Sequence, residues 1–538
     1  MKKVLINLAI VIISLNAFSQ VGFQWAQTSG HPFYGETTTR LAADTDGNVF
    51  VAGGFIDTAA FGTRSIVSNG GADFFIAKHN AAGETLWLAG DGGTDYEKIH
   101  GVSVSHEGVF VCGTFYGTCE IGAESFPSMG SQDIFLASYD LEGNFSWAKH
   151  IGSPKTDYIK AVCNDPDGNM FITGYFYDSI SFGDTSIYAH AGSDIFIAKY
   201  SSSGDLTWLR QASGSSSDQS YSISCNEAGD IIFTGSFFDD ILVIDTFLTT
   251  EDPTGVFMAK MTNDGDLIYA RQVDGNGLIA QSFASFDNDG DIFFTGNFTD
   301  QVTFGTHTFD AGAFNIDIFV TKYTADGDLV WAEHGYGLGS DQLISVSAGP
   351  DNDFYITGHF LHDIHFGNIM LEYTLCCGSA EIFLVRFTAD GTAAWGDQIS
   401  GERAMVESLC KNANDELFVS GLFQFQLTFG EIIIEGEGDY NGFLSGVATG
   451  TMISVEELEQ TETFTLYPVP ANDRMTLDVK SEQSLNYTLY DMTGRSMLNG
   501  IASGSHSIDI SAIPAGQYLL RVYDTSSGVS EGRLILKK

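Results

Sequence analysis

Positive charge is what this chain most lacks: 24 lysines and arginines stand against 69 aspartates and glutamates in 538 residues, a formal net charge of −45. Such a surface repels phosphate backbones and anionic lipid, which excludes a nucleic-acid-binding protein and one held to a membrane by a basic patch. It suits a solvated, exported protein. Beyond the N-terminus no run approaches the ~20 apolar residues that a membrane-spanning helix needs. No segment keeps a sustained 3.6-residue apolar period between recognisable caps, so the expected class is all-β. Seven cysteines, an odd number scattered from Cys112 to Cys410, do not make a disulfide framework. Cys163 and Cys410 read as small buried apolar residues, and vicinal Cys376 and Cys377 as apolar filling. Cys112 and Cys119 could bridge neighbouring strands only with suitable geometry. Phosphate loops and His-Glu-x-x-His are both missing.

What is present is a repeat. The six tryptophans, Trp25, Trp87, Trp147, Trp208, Trp331 and Trp395, fall at one position of a recurring unit, with Tyr269 standing in once more. A Gly-x-Phe marker occurs at Gly53, Gly113, Gly174, Gly235, Gly296, Gly358 and Gly421, spaced 60, 61, 61, 61, 62 and 63 residues apart. A third marker is Phe75, Phe135, Phe196, Phe257, Phe319, Phe383 and Phe443. Three markers in one register define seven copies. Segments such as Asn169 to Phe176 and Asp194 to Tyr200 are short, aromatic and β-branched, and turns such as Asp165-Pro-Asp-Gly-Asn169 separate them. Roughly four antiparallel strands per copy follow, and Phe-Gly segments such as Phe182-Gly183 add a fifth or extend a hairpin. Units that cannot bury both faces alone bury them against neighbours when packed radially. The expected fold over residues 20–448 is therefore a seven-bladed β-propeller, with a β-helix as the runner-up. Trp25 precedes the first full copy, and the last copy has no tryptophan strand of its own, so the N-terminal strand is expected to complete the last blade.

The pattern Asp-x-x-Gly-Asn, apolar strand, Thr-Gly at Asp165 to Gly174, followed by Asp-x-Phe-x-Ala-Lys-Tyr at Asp194 to Tyr200, resembles bacterial extracellular beta-propeller repeat proteins of the SBBP type. That resemblance covers residues 22–448 and implies fold rather than activity. At the N-terminus, Lys2 and Lys3 precede an apolar stretch from Val4 to Leu15 and a small-residue site at Ala17-Phe18-Ser19. Residues 1–19 read as a signal peptide cleaved before Gln20, and no early cysteine offers a lipid-anchor site.

After an acidic linker, 449–462, the register stops and residues 463–538 alternate strands and turns, which predicts a small antiparallel sandwich. Tyr467-Pro468-Val-Pro470-Ala471, Leu489-Tyr-Asp-Met-Thr-Gly494-Arg495, Ile510-Ser-Ala-Ile-Pro514-Ala-Gly516-Gln-Tyr518 and the closing Lys537-Lys538 closely resemble the type A sorting domain of the type IX secretion system of Bacteroidetes. Val469 stands where asparagine is usual. The resemblance implies a secreted or surface-attached protein, recognition by the type IX machinery, and removal of the domain after export in some such proteins.

Candidate chemistry is thin. Asp44-Thr-Asp-Gly-Asn48 and Asp287-Asn-Asp-Gly-Asp291 carry oxygen ligands at the spacing of half a calcium loop, but the distal glutamate is missing and hairpin turns account for both. His359, His362 and His365, with His334 upstream, could hold a transition metal if a bend brought them together; a surface cluster is expected instead. Asp95, Asp157, Asp218 and Asp341, and likewise Asp73, Asp133, Asp194 and Asp317, recur from copy to copy, as residues bonding backbone at turns or between blades do and a catalytic pair does not. No catalytic residue, cofactor or metal is assigned. The expected function is a non-enzymatic exported scaffold binding a protein or glycan. The alternative is a secreted polysaccharide hydrolase or lyase acting in the funnel.

Overall fold

The computed structural model describes residues 22–28, 39–251, 254–275, 277, 281–375, 379–436, 440–448, 464–467, 473–479, 485–491, 496–514, 516–523 and 530–537. Residues 1–19, where a signal peptide is expected, the expected linker at 449–462, Cys376 and Cys377 lie outside them. Apart from one short 3-10 turn at Pro350–Asn352, every regular element among these residues is a strand. The chain divides into two compact units, residues 1–450 and 451–538.

In the first unit each copy forms an antiparallel meander. In the copy around Gly174 the strands are Asp157–Asn164, Met170–Phe182, Thr185–Tyr200 and Leu206–Gly214, paired in that order. The turn between the first two is built by Asp165, whose Oδ1 accepts from the Asn169 N–H at 2.8 Å while Gly168 takes a φ of 79°, a conformation open to glycine. The Gly-x-Phe and Phe markers are two halves of one contact. Gly174 lies opposite Phe196 in the ladder, and a Cβ there would come within 2.6 Å of that ring. The tryptophans work between copies. The indole N–H groups of Trp25, Trp87, Trp147, Trp208 and Trp331 donate to the carbonyls of Ala81, Leu141, Ser202, Asn263 and Ala389, each in the last turn of another copy, at 2.9–3.0 Å. The glycine of that turn lies flat on the ring: Gly204 on Trp147, and Gly327 on Tyr269, the expected stand-in.

Apolar faces are buried between adjacent copies. Phe110, Ile134 and Leu136 of one share a cluster with Ile159, Ile172 and Phe196 of the next, the burial that the pattern requires. The Phe-Gly segments form the hairpin expected, and it does more than extend its own sheet. Ile241–Val243 pairs with Gly214–Ala212 of the preceding copy, and the same cross-pairing recurs at Gly275/Val302, Gly337/Ile364 and Gly401/Leu427.

Gly22–Thr28 pairs antiparallel with Asn441–Ala448, the third strand of the last copy, and Ser445 Oγ donates to the Trp25 carbonyl at 2.7 Å. Val49, Val51 and Phe75 of the first copy share a cluster with Phe418, Leu422 and Leu444 of the last. Thr39 Oγ1 donates to Ser420 Oγ at 3.1 Å, and Asn412 Nδ2 to the Gly47 carbonyl at 2.8 Å.

The second unit contains two sheets, Phe464–Tyr467, Arg474–Val479 and Ser505–Asp509 in one, and Ser496–Ala502, Leu485–Asp491, Gly516–Tyr523 and Ser530–Lys537 in the other. Met475, Leu477, Leu489, Ile508 and Leu520 pack between them.

Candidate functional site

The first strands of all the copies meet around one cavity of about 520 Å³. In each copy the residue that follows the ladder partner of the repeat glycine faces this cavity, namely Arg40, His100, Lys160, Tyr221, Phe283, Ile344 and Glu407. In five copies that residue is an extra one, inserted as a β-bulge: His100, Lys160, Tyr221, Ile344 and Glu407. A bulge re-aims a side chain without disturbing the rest of the ladder, so these positions are free to differ while the framework repeats.

They differ in a patterned way. Basic side chains occupy one wall: Arg40, Lys98, Lys160 and the imidazole of His100 come from three neighbouring strands. Tyr221, Gln281 and Phe283 form the next arc. Glu407 lies on the far side of Arg40 and neutralises it, Nη1 to Oε2 at 3.0 Å, while Arg40 Nε donates to the His100 carbonyl at 3.1 Å. Lys160 has no carboxylate within ion-pair distance among the described residues; its ammonium lies 5.3 Å from the centre of the Tyr175 ring. Burial lowers the Lys160 pKa, and the positive charges of Lys98 and Arg40 lower it further. Burial likewise holds the His100 imidazole well below its ordinary pKa, with Lys98, Arg40 and Lys160 adding to the effect. Tyr175 stacks on Tyr158 at 4.6 Å and meets Tyr177 edge-on at 6.3 Å.

The residues singled out in the sequence lie elsewhere. His359, His362 and His365 do not converge. His359 is no surface residue: its Nε2 accepts from the Val406 N–H at 2.8 Å across a copy boundary, and burial lowers its pKa to about 4. His365 stacks on Tyr336 at 5.2 Å, and His362 lies 5.8 Å from Tyr373. Cys112 and Cys119 are buried free thiols. In the Asp44 loop Oδ1 accepts from the Asp46 and Asn48 N–H groups, and Lys78 pairs with Oδ2 at 3.2 Å. Burial raises the Asp44 pKa, but the Asn48 hydrogen bonds and Lys78 outweigh it and hold the carboxyl below its ordinary value. Asp287 is tied in the same way to its own turn and to Lys322 at 2.8 Å.

The recurring carboxylates occupy the copy boundaries. Asp73, Asp133, Asp194 and Asp317 each use one oxygen as expected of structural aspartates; Asp133 Oδ2, for instance, accepts from the Met129 N–H at 2.7 Å and from His150. The other set departs from expectation. Both carboxylate oxygens of Asp157, Asp218 and Asp341 are buried without a hydrogen bond, and so are those of Glu97. Glu97, not Asp95, is the member belonging to the second copy: it pairs with Phe115 as Asp157 pairs with Phe176, and Asp95 is exposed. The Ser105–Gly108 turn is shorter than the Asp165–Asn169 turn, which displaced the count. Burial pushes the carboxyls of Glu97, Asp157, Asp218 and Asp341 up to about 8, and a facing carboxylate, Asp73, Asp133, Asp194 and Asp317 in turn, adds to the rise. Contacts from Ser153, Gly214 and Leu361 fall short of hydrogen-bond geometry and offset only part of it.

In the second unit, Lys537 is buried and its ammonium donates to the carbonyls of Ile510 at 2.6 Å, Ser511 at 3.1 Å and Ile513. Tyr518 Oη donates to the Pro514 carbonyl at 2.8 Å. Two of the motif segments, Ile510 to Tyr518 and the closing Lys537, are thereby locked together. Residues 465–537 match the secretion system C-terminal sorting domain. The sorting domain marks a secreted or cell-surface protein handled by the type IX system. Tyr467 is half-exposed, and Pro468, Pro470, Gly494 and Lys538 lie outside the described residues.

Over 461 residues the chain is 21% identical to an uncharacterized WD repeat-containing protein of Acanthamoeba polyphaga mimivirus, covering 72% of this chain and 30% of that protein. The chain thus spans less than a third of that relative's length. Among solved structures, a mutant of Synechocystis apocarotenoid oxygenase is similar with a TM-score of 0.35 at 10% identity, over 79% of this chain and 92% of that one. A member of the duf4221 family from Bacteroides vulgatus is similar with a TM-score of 0.28 at 8% identity, over 66% of this chain and 97% of that one. The repeat unit itself is all-β and propeller-like, its meanders packed face to face around one cavity. No helix among the described residues is long and apolar enough to cross a membrane.

The sequence reading missed Arg40, Lys98, His100 and Lys160. Arg40, His100 and Lys160 share one ladder position, but it lies 13 residues before the repeat glycine in some copies and 14 in others, so a fixed count from the glycine does not align them.

Proposed function

We propose that the chain is a seven-bladed β-propeller, closed by its N-terminal strand, that is delivered outside the cell and binds a ligand in its axial pocket without transforming it. One observation carries this reading. In a chain whose framework repeats Trp, Gly and Phe from copy to copy, the residues facing the pocket are Arg, His, Lys, Tyr, Phe, Ile and Glu in turn. Concave, partly apolar cavities with a few polar groups are the usual form of a binding site. A pocket of seven different walls recognises one orientation of an unsymmetrical ligand. The unpaired carboxylates, which an acid–base enzyme would need in the pocket, are sealed between blades instead. The pairing of Gly22–Thr28 with Asn441–Ala448 and the Arg40–Glu407 bridge support closure.

The test is capture from glycan and protein arrays by residues 20–448, alongside Lys160→Met and Phe283→Ala. Wild-type protein should retain a ligand unchanged, and each pocket variant should lose at least tenfold in affinity while still unfolding in one cooperative transition. Conversion of the captured ligand, or equal capture by both variants, would overturn the reading. Export has its own test: a chain lacking residues 463–538 should accumulate in the periplasm, and its continued appearance at the surface would remove the role given to the sorting domain.

A further inference from the structure

We infer that the axial pocket takes an acidic carbohydrate, a sugar ring bearing a carboxylate of the hexuronate kind. The inference rests on the pocket being the binding site and names what that site selects. Only 24 of 538 residues are lysine or arginine, yet three of them, Arg40, Lys98 and Lys160, converge on one wall of one cavity. Glu407 compensates Arg40. Among the described residues no carboxylate comes within ion-pair distance of Lys160, which faces the Tyr175 ring and the repulsion of its two neighbours. A half-buried ammonium without a counter-charge costs stability, and an anion entering the pocket removes that cost. With a surface of −45 around it, such a wall is a local exception that an anionic ligand must find by short-range contact, inside a Debye length.

The remaining walls describe the rest of the ligand. Tyr221 and Phe283 line the arc next to the cations, while Tyr175, which is buried and does not line the cavity, holds the Lys160 ammonium against its ring from behind. Aromatic faces bear negative charge, which attracts the polarised C–H groups on one side of a sugar ring and repels a naked anion. Tyr221, whose Oη lies 3.0 Å from Ser236 Oγ, and Gln281 offer hydrogen bonds suited to hydroxyls. A bare inorganic anion would use the cations and leave the aromatic arc unoccupied, and a neutral sugar would do the reverse. A uronate uses both.

Calorimetric titration of the full chain with trigalacturonate and with a neutral galactose trisaccharide, at low and moderate salt, decides the matter. Wild-type protein should bind the acidic trimer at least tenfold more tightly than the neutral one and lose affinity as salt rises. Lys160→Met should abolish that preference while leaving the melting temperature equal or higher, because it removes an uncompensated cation. Phe283→Ala should weaken both trimers. Equal binding of the two trimers, indifferent to Lys160→Met but weakened by Phe283→Ala, would overturn the acidic-sugar assignment and leave the pocket intact. Binding of the acidic trimer that neither variant alters would place it outside the pocket and overturn both readings. Binding of inorganic sulfate with neither trimer bound would overturn the carbohydrate assignment alone.

Discussion

Trp25→Ala should destabilise the repeat unit about twice as much as Trp208→Ala, although the two rings make matching contacts. Each indole donates to a carbonyl in the last turn of another copy, Ala81 and Asn263 respectively, and each lies under that turn's glycine, Gly83 or Gly265. Each also packs on a phenylalanine, Phe418 at 6.2 Å and Phe171 at 5.8 Å. Removing a large aromatic costs ~3–5 kcal/mol when fully buried, and these half-buried rings belong at the lower end, ~3 kcal/mol. The difference is tethering. Leu206–Gly214 is joined to Thr185–Tyr200 by a tight turn and is also paired with Ile241–Val243 of the next copy. Among the described residues Gly22–Thr28 is paired with Asn441–Ala448 alone. Once its ring is gone, the N-terminal strand keeps its backbone ladder, the edge-on contact of Phe23 with Phe429 and the Gln27–His79 hydrogen bond, but no hairpin turn and no second strand among the described residues holds it in place. Its release uncovers the edge of Asn441–Ala448 and the cluster of Val49 and Phe75 with Phe418 and Leu444. Calorimetry should show a midpoint lowered by roughly 5 °C or more, and hydrogen exchange should show faster exchange confined to Gly22–Thr28 and Asn441–Ala448. Equal midpoints for the two variants with Asn441–Ala448 still protected would mean that the strand does not close the ring.

The same contacts explain why so much of the fold was legible in the sequence. A residue that must meet the same neighbour in every copy recurs at fixed spacing, so Gly174 against Phe196 and Gly204 against Trp147 appear as markers. Tyr269 could be recognised as a stand-in because the turn opposite, at Gly327, is unchanged. The site was hidden by the same rule. Spacing detects sameness, and Arg40, His100, Lys160, Tyr221, Phe283, Ile344 and Glu407 are defined by difference. A one-residue bulge places five of them, and bulges leave no compositional mark. Counting back from a glycine also failed at Asp95, because a shorter turn moved the equivalent position to Glu97. The cross-copy pairing of the Phe-Gly hairpins was out of reach, since a period locates a hairpin but not the neighbour whose edge it meets.

The buried carboxylates lead to the other large effect, a loss of stability as pH rises. At Glu381 the facing position in the next copy is Ala404, and the carboxylate is fully engaged: Oε1 accepts from Thr374 and Ser400 hydroxyls, and Oε2 from the Thr374 N–H. Where a second acid faces the first, at Glu97, Asp157, Asp218 and Asp341, its oxygens have no such donors. A carboxyl buried beside a second carboxylate avoids the cost of ionising by keeping its own proton, consistent with burial holding these four groups near a pKa of about 8. Unfolded carboxyls release theirs near ~4. Between those values the folded chain binds more protons than the unfolded chain, so stability falls as pH rises through the window and levels off above about 8. At about 1.4 kcal/mol per pKa unit, relaxation that recovers most of the shift still leaves each site costing ~1–2 kcal/mol at pH 8.5. The carboxyls held below their ordinary pKa, Asp44 and Asp165, act in the opposite sense, losing stability as pH falls below ~4, and do not mask the trend. Thermal midpoints measured from pH 5 to 9 at constant ionic strength, with chelator present so that no divalent cation replaces the proton, should fall by several degrees. Combining Asp157→Asn, Asp218→Asn and Asp341→Asn should flatten the slope and raise the midpoint at pH 8.5, since an amide of the same shape stays neutral at every pH and removes the cost of ionising a buried carboxyl. An unchanged slope in that triple variant, with a midpoint lowered at every pH, would show that these groups are ionised and satisfied in the folded chain.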